Sequence, residues 1–148
     1  MTQPQQQALH QRRVLALDPG SRRTGVALSD ELGMFAHARP AIHSDSTARM
    51  VDEVVRLVGA DDIGEVVVGL PLSLSGSDSG QTATVRELVR ALRERLTVPV
   101  STWDERLSSV EAARTARGPA KRKSGELDSQ SAAIVLQAVL DSRRGGRR

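Results

Sequence analysis

The segment Glu65–Leu70, which reads Glu-Val-Val-Val-Gly-Leu, limits the possible folds of this chain more than any other. Its β-branched residues form an unbroken apolar run without alternation, which is typical of a parallel strand covered on both faces. Apolar residues recur at helical spacing on either side of it, between Ala48 and Val58 and between Thr82 and Leu96. A buried strand between two amphipathic helices predicts an α/β fold with helices on both faces of a sheet.

The remaining patterns complete this α/β prediction. Further strands are predicted over Val14–Leu17, Thr24–Ser29, Ala38–His43 and Val98–Thr102, and the first two form a hairpin. Further helices are predicted over Ser108–Ala116 and from Glu126 to Asp141. The predicted order β-β-β-α-β-α-β-α-α gives a mixed five-stranded sheet with helices on its faces.

The chain is long enough for one domain with a hydrophobic core, since it has 148 residues. We expect this domain to cover residues 12–141. The Gln-rich residues 1–11 are expected to form a disordered N-terminal tail, and residues 142–148 a basic C-terminal tail. Arg117–Gly125 is rich in Gly, Pro and basic residues, which is typical of a mobile loop.

Composition and targeting signals point to the cytoplasm. The chain has no cysteine, which excludes disulfides and thiolate metal sites. Its first ten residues lack the apolar core of a signal peptide. No apolar run approaches the roughly 20 residues that a membrane helix needs. We therefore expect a cytoplasmic protein without a membrane partner.

Basic charge is concentrated towards the C-terminus. From Arg114 onwards there are nine Lys/Arg and three acidic residues, a net charge of +6, whereas residues 1–113 carry a net charge of −3. The basic residues lie mainly in Arg114–Lys123 and Arg143–Arg148. This asymmetry favours a polyanionic partner, although the tail by itself is equally consistent with a solvated segment that maintains solubility.

Three acidic residues are candidates for one site at the edge of the sheet. Asp18 ends the first strand, Glu105 follows the last one, and Asp128 opens the final helix. Clustered carboxylates repel one another and need a cation, and hard oxygen ligands favour Mg²⁺ or Mn²⁺, two of which can act together on a phosphodiester. Each acid also has a structural interpretation, as a turn residue, a surface ion-pair partner or a helix first-turn residue, respectively. Strand alternation does not choose between Asp104 and Glu105, which point to opposite faces if the strand continues.

Four blocks of sequence resemble one known family. They are Val14–Asp30 (VLALDPGSRRTGVALSD), Val67–Leu72 followed by Gly76, Trp103–Ser108 (WDERLS) and Leu127–Gln137 (LDSQSAAIVLQ). In this order they resemble the signatures of the YqgF family, the Holliday-junction-resolvase-like nucleases of precursor 16S ribosomal RNA. Together they span roughly residues 13–141, so only the tails are unmatched.

The resemblance implies a ribonuclease-H-like fold and a metal-dependent nuclease that processes the 5′ end of precursor 16S ribosomal RNA during ribosome biogenesis. It assigns the catalytic and metal-binding roles to Asp18, Glu105 and Asp128, and so favours Glu105 over Asp104. It also leaves open a Holliday-junction DNA resolvase, which often acts as a homodimer.

Several residues are candidates for contacts to nucleic acid. Gly20 would let the backbone approach a phosphate, and Arg22 and Arg23 would bind phosphate oxygens from the same turn. Lys121, Arg122 and Lys123 would close over the substrate from the loop before Asp128. With only Phe35 and Trp103 as aromatic residues, base stacking cannot be the main mode of recognition, which favours structured RNA or branched DNA as the partner.

Two other functions remain open from the sequence. The first is a non-catalytic RNA-binding protein of the same fold that assists ribosome assembly. The second is a nucleotide-binding domain of the actin and sugar-kinase type, whose phosphate loop resembles the turn Asp18-Pro19-Gly20. Such ATPases enclose the nucleotide between two domains, and this chain supplies one.

Overall fold

The computed structural model describes residues 12–20, 22–72, 75–76, 80–107 and 129–145. The strands in this part of the chain are β1 (Arg13–Pro19), β2 (Arg23–Ser29), β3 (Ala36–His43), β4 (Ile63–Leu70) and β5 (Val100–Asp104). The helices in the same residues are α1 (Thr47–Ala60), α2 (Gly80–Arg95) and α3 (Gln130–Gly145), and a 3-10 turn over Glu105–Leu107 follows β5.

The strands form one five-stranded sheet in the order β3-β2-β1-β4-β5. The first three strands are antiparallel neighbours, whereas β4 runs parallel to both β1 and β5. The mixed five-stranded sheet predicted from the sequence is therefore confirmed. The run Val66–Val68 is almost fully buried in β4, as its apolar character requires.

Helices cover the two faces of the sheet unequally. Helices α1 and α2 contribute to a large apolar core that includes Leu15, Leu17, Val66 and Val68. Helix α3 packs on the opposite face, against the strand residues Val14, Ala16, Ala27 and Val67. Because side chains alternate along a strand, the position of a residue in β1 or β4 decides which face it occupies.

Several predicted element boundaries differ from the structure, and two of them show the physical reason. Strand β5 ends at Asp104 instead of Thr102, because its ladder with β4 extends as far as the pair Leu70–Asp104. Helix α3 continues to Gly145, beyond the predicted end at Asp141, so the expected tail residues 142–145 are helical. Arg143 supports this extra turn, since its guanidinium binds the Glu65 carboxylate at 2.6 and 2.9 Å.

Other predictions lie outside the described residues. These are the disordered tail over 1–11, the helix over 108–116, the mobile loop over 117–125 and the last residues 146–148. In the part of the chain that the structure covers, no helix combines the length and the apolar character that crossing a bilayer requires.

Candidate active site

Asp18 lies near the carboxyl end of β1 on the face covered by α3. It has the same position in the alternation as Val14 and Ala16, which pack in the α3 core, and it is 6% exposed. Its neighbour in β2 is Gly25. In β4, the next residue in register is Gly69, because Leu17 pairs with Val68. The Asp18 side chain is therefore flanked on both neighbouring strands by residues without side chains.

Glu105 reaches the same face from the 3-10 turn after β5. A Cβ atom built on Gly69 would lie 3.3 Å from Cγ of Glu105 and 3.4 Å from its Cδ. The Glu105 side chain thus lies directly over the Gly69 backbone, one strand away from Asp18. This contact depends on the pairing of β4 with β5.

Asp104 is held by Arg106. Its Oδ1 accepts hydrogen bonds from the backbone N and the Nε of Arg106, both at 3.0 Å, and its Oδ2 accepts from Nη2 at 2.6 Å. These hydrogen bonds from the Arg106 side chain lower the pKa of Asp104 and raise that of Arg106. Strand alternation did not choose between Asp104 and Glu105 as the site residue. In the structure Asp104 binds Arg106, whereas Glu105 lies over Gly69.

The surroundings of Asp18 and Glu105 fit a divalent metal. Oδ1 of Asp18 and Oε1 of Glu105 are both buried. Gly69 leaves room for the Glu105 side chain where a Cβ would lie, and Gly25, the β2 neighbour of Asp18, carries no side chain. Carboxylate oxygens without His or Cys ligands suit Mg²⁺ or Mn²⁺. The described residues contain no group of three acidic, His or Cys side chains close enough to hold an ion.

The start of α3 is attached to the sheet close to this site. Ser129 is fully buried, and its Oγ accepts a hydrogen bond of 2.9 Å from the backbone N of Val26. The register of β2 with β3 shifts between Thr24 and Val26, so the serine bonds the sheet where its ladder is irregular. Sequence analysis did not select Ser129, because a serine before a helix usually caps its own helix.

The other predicted site residues before α3 are not covered by the structure. Asp128 directly precedes Ser129 in the chain and lies outside the described residues, as do Lys121, Arg122 and Lys123. Their assignment remains a prediction from the sequence.

The turn between β1 and β2 brings two arginines to the same end of the sheet. The backbone N of Gly20 donates a hydrogen bond of 2.8 Å to the carbonyl O of Arg23. A Cβ on Gly20 would lie only 2.8 Å from that same oxygen, so a larger residue would force the turn open. Arg22 and Arg23 are both exposed, within a few residues of Asp18.

Comparisons with known proteins agree with this architecture. A model of the family described as "RuvX: Holliday junction resolvase" matches residues 12–142. A protein of Koribacter versatilis is 40% identical over 134 residues, which cover 88% of each chain. A protein of Synechococcus sp. is 41% identical over 133 residues, which cover 88% of this chain and 78% of the relative. Both relatives carry the name "Putative pre-16S rRNA nuclease".

Solved structures identify the fold. "T. thermophilus RuvC in complex with Holliday junction substrate" matches with a TM-score of 0.59 at 16% identity, covering 90% of this chain and 96% of that chain. "Thermus thermophilus RuvC structure" matches over the same shares of the two chains with a TM-score of 0.56 at 15% identity. The predicted ribonuclease-H-like fold is thereby confirmed.

Proposed function

The chain belongs to the RuvX family of Holliday junction resolvases, and we propose that it is a metal-dependent nuclease that processes the 5′ end of precursor 16S ribosomal RNA. The names of its relatives support the RNA substrate. The observation that carries the proposal is the position of two carboxylates, Asp18 and Glu105, each with one buried oxygen, on one face of the sheet with Gly69 between them.

In this proposal Asp18, Glu105 and Asp128 are the catalytic and metal-binding residues. Asp128 directly precedes Ser129, whose hydroxyl is bonded to Val26, and this attachment supports a position near Asp18 for the third carboxylate. When bound, two Mg²⁺ or Mn²⁺ ions supply activation of a water molecule and stabilisation of the leaving oxygen. The carboxylates would hold the metals, and the absence of a side chain at Gly69 lets Glu105 lie on the same face as Asp18.

Basic residues around the carboxylates would bind the substrate backbone. Arg22 and Arg23 extend from the turn that follows Asp18, and the hydrogen bond from the backbone N of Gly20 to the carbonyl O of Arg23 keeps this turn tight. Lys121, Arg122 and Lys123 would add positive charge from the segment before Asp128. Arg106 has a different task, since its hydrogen bonds to Asp104 hold the turn that carries Glu105.

Cleavage of branched DNA is the second candidate function, and the description of the family favours it. Symmetric cutting of a four-way junction requires two active sites, so this function also predicts a homodimer. Sedimentation of the protein with and without a junction measures the number of chains in the complex. Cleavage of precursor RNA places no such requirement on the protein.

The first test of the proposal is the variant Asp18→Asn, assayed on a precursor 16S RNA fragment and on a four-way DNA junction. The substitution removes one negative charge with little change in shape, so it should abolish cleavage supported by Mn²⁺ and leave the protein folded. The parent protein with chelator should be equally inactive. Binding of Mn²⁺ should also raise the melting temperature of the parent more than that of the variant.

A matched control is Asp52→Asn, which makes the same change of charge at an exposed residue of α1 whose carboxylate binds Arg95 at 2.9 Å. This control should cut as the parent does. Equal cleavage by Asp18→Asn and the parent would remove Asp18 from the site. If the parent binds both substrates with Mn²⁺ but cuts neither, the non-catalytic ribosome assembly factor replaces the nuclease.

A further inference from the structure

A cleft of about 500 Å³ opens on the face of the sheet opposite the carboxylates. It lies between the turn after β1, the first residues of α1 and the first turns of α2, and its lining includes Pro19, Arg22, Thr47, Met50, Gln81 and Thr84. Its volume lies within the range of about 300–1,000 Å³ that is usual for ligand sites. The carboxylate site described above does not use it.

The floor and the rim of the cleft differ in character. The core residues Met50, Val85 and Leu88 form an apolar floor. The hydroxyl groups of Thr47 and Thr84 and the side-chain amide of Gln81 line the rim. An apolar floor with a few polar groups around it suits a flat heterocycle with hydrogen-bonding edges.

The charge along the cleft suits one phosphate group. Arg22 is the one basic residue among the described residues that line it, which is less charge than a di- or triphosphate would require. Asp45 also lines the cleft, but its carboxylate lies 3.9 Å from the guanidinium of Arg49 and is partly neutralised there.

The cleft begins one residue from the candidate metal site. Asp18 faces α3, and the next residue, Pro19, lines the cleft on the other side of the sheet, about 3.8 Å away between Cα atoms. The two sites lie on opposite faces of the sheet, and the turn at Gly20, which carries no side chain, connects them around its end. Gln81 ties α2 to this turn, because its Nε2 donates a hydrogen bond of 3.1 Å to the Pro19 carbonyl.

We propose that this cleft binds one unstacked nucleotide of the strand that is cut, with the base on the floor of Met50, Val85 and Leu88 and the phosphate on Arg22. This inference rests on the proposed nuclease function and adds to it a preference for particular cleavage sites. The strand passes from Asp18 over Gly20 into the cleft, so cleavage favours sites beside an unpaired nucleotide. The base contact is aliphatic, since neither Phe35 nor Trp103 lines the cleft.

The test uses single-stranded oligonucleotides with the fluorescent base 2-aminopurine at one position in turn, bound to the uncleaving Asp18→Asn protein. We expect fluorescence to rise at one position only, where the base leaves its stacked neighbours. In this background Thr84→Glu places a negative charge in the cleft, and it should weaken binding about tenfold and remove the rise.

Ala83→Glu is the matched control, because it adds the same charge at the preceding exposed residue of α2, which does not line the cleft. It should leave the fluorescence rise in place and binding within about twofold of the Asp18→Asn protein. Equal effects of the two substitutions, or a rise at every labelled position, would overturn the proposal.

A second experiment distinguishes binding of a nucleotide within a strand from binding of a free nucleotide. The free monophosphate of 2-aminopurine riboside could bind as tightly as the oligonucleotide, and Thr84→Glu could abolish this binding. In that case the cleft is a mononucleotide site, and its assignment to the cut strand is wrong. Cleavage is measured separately on the otherwise native protein. A position-specific rise without cleavage would contradict the proposed function and leave the cleft assignment intact.

Discussion

Gly69 controls the position of the Glu105 carboxylate, which lies over its backbone. Any side chain at this position would compete with Glu105 for the same space, and β4 itself is held rigidly between β1 and β5. A displacement of about 1 Å in a catalytic group can cost roughly 10²-fold in rate. If Glu105 holds a metal as proposed, Gly69 would affect the chemistry through the space that it leaves for this side chain.

The variant Gly69→Ala tests this effect at a single residue. Its Cβ would lie 3.3 Å from Cγ of Glu105, so the glutamate must shift, and we expect cleavage with Mn²⁺ to fall by about 10- to 100-fold. Thermal unfolding should change little. The control Gly59→Ala meets nothing within 4 Å and lies in α1, where it should stabilise the protein by about 0.5–1 kcal/mol and leave cleavage unchanged. Unaltered cleavage by Gly69→Ala would mean that Glu105 does not need its present position.

The pair Asp104–Arg106 predicts a dependence on pH. The side-chain hydrogen bonds of Arg106 lower the pKa of Asp104, so the pair stabilises the folded state above the ordinary aspartate pKa of about 4. This contribution is lost as the pH falls through the lowered pKa. In Arg106→Gln the pKa of Asp104 should return towards its ordinary value, as measured by NMR titration of the carboxyl carbon. An identical titration in both proteins would contradict the assignment.

Helix α3 packs on the candidate site and is hydrogen-bonded to two strands of the sheet. It covers the face on which Asp18 lies, and its first residues are bonded to β2 through Ser129. It also reaches β3, because Oε1 of Gln137 accepts a hydrogen bond of 2.9 Å from the Ala36 backbone N. These contacts orient the helix on the sheet.

The variant Ser129→Ala should loosen this attachment. It leaves the buried Val26 N–H without its acceptor, which costs about 1–3 kcal/mol and lowers the melting temperature by roughly 2–10 °C. Ser142→Ala is the control, since its hydroxyl only donates to the Val139 carbonyl near the exposed end of the same helix. Equal melting temperatures for the two variants would show that the bond to Val26 does not anchor α3.

Some basic side chains of the molecule form ion pairs, whereas others are candidates for contacts to phosphate. Arg56 and Arg90 bind glutamates of their own helices, and Arg95 of α2 binds Asp52 of α1. Exposed pairs of this kind contribute little to stability, but they reduce the positive charge that faces a polyanion. The segment around Lys121–Lys123 has no acidic residue between Arg114 and Lys123 to offset its charge.

Neutralising Lys121, Arg122 and Lys123 to Gln should therefore flatten the salt dependence of nucleic-acid binding. Loss of three phosphate contacts lowers the slope of log K against log salt by about 2–3. The measurement uses the Asp18→Asn protein, so that the substrate stays intact. The matched triple change of Arg56, Arg90 and Arg95 to Gln removes the same charge and should leave the slope nearly unchanged. Equal slopes for both triple variants would reject a role for the segment in binding.

The sequence by itself determined the elements of this protein and their arrangement in a mixed sheet. The uninterrupted β-branched residues in Val66–Val68 indicate a strand buried on both faces. The helical spacing of apolar residues in α1 and α2 indicates helices with one buried face. Both patterns can be recognised from residues that are neighbours in the chain. The same reasoning placed Asp18 at the end of β1. It misjudged the ends of β5 and α3, because those ends depend on partners distant in sequence, such as Glu65 for Arg143.

Only the tertiary structure decided how the candidate site is assembled. Glu105 lies over Gly69, Asp104 is bound to Arg106, and Ser129 is bonded to Val26, which is 103 residues away in the chain. The contacts of Glu105 and Ser129 depend on the register between strands and on the packing of a helix across the sheet, and neither leaves a local pattern in the sequence, whereas the bond between Asp104 and Arg106 is local. The physical reason is that alternation tells which residues share a face of one strand, whereas strand pairing decides which side chains meet across it.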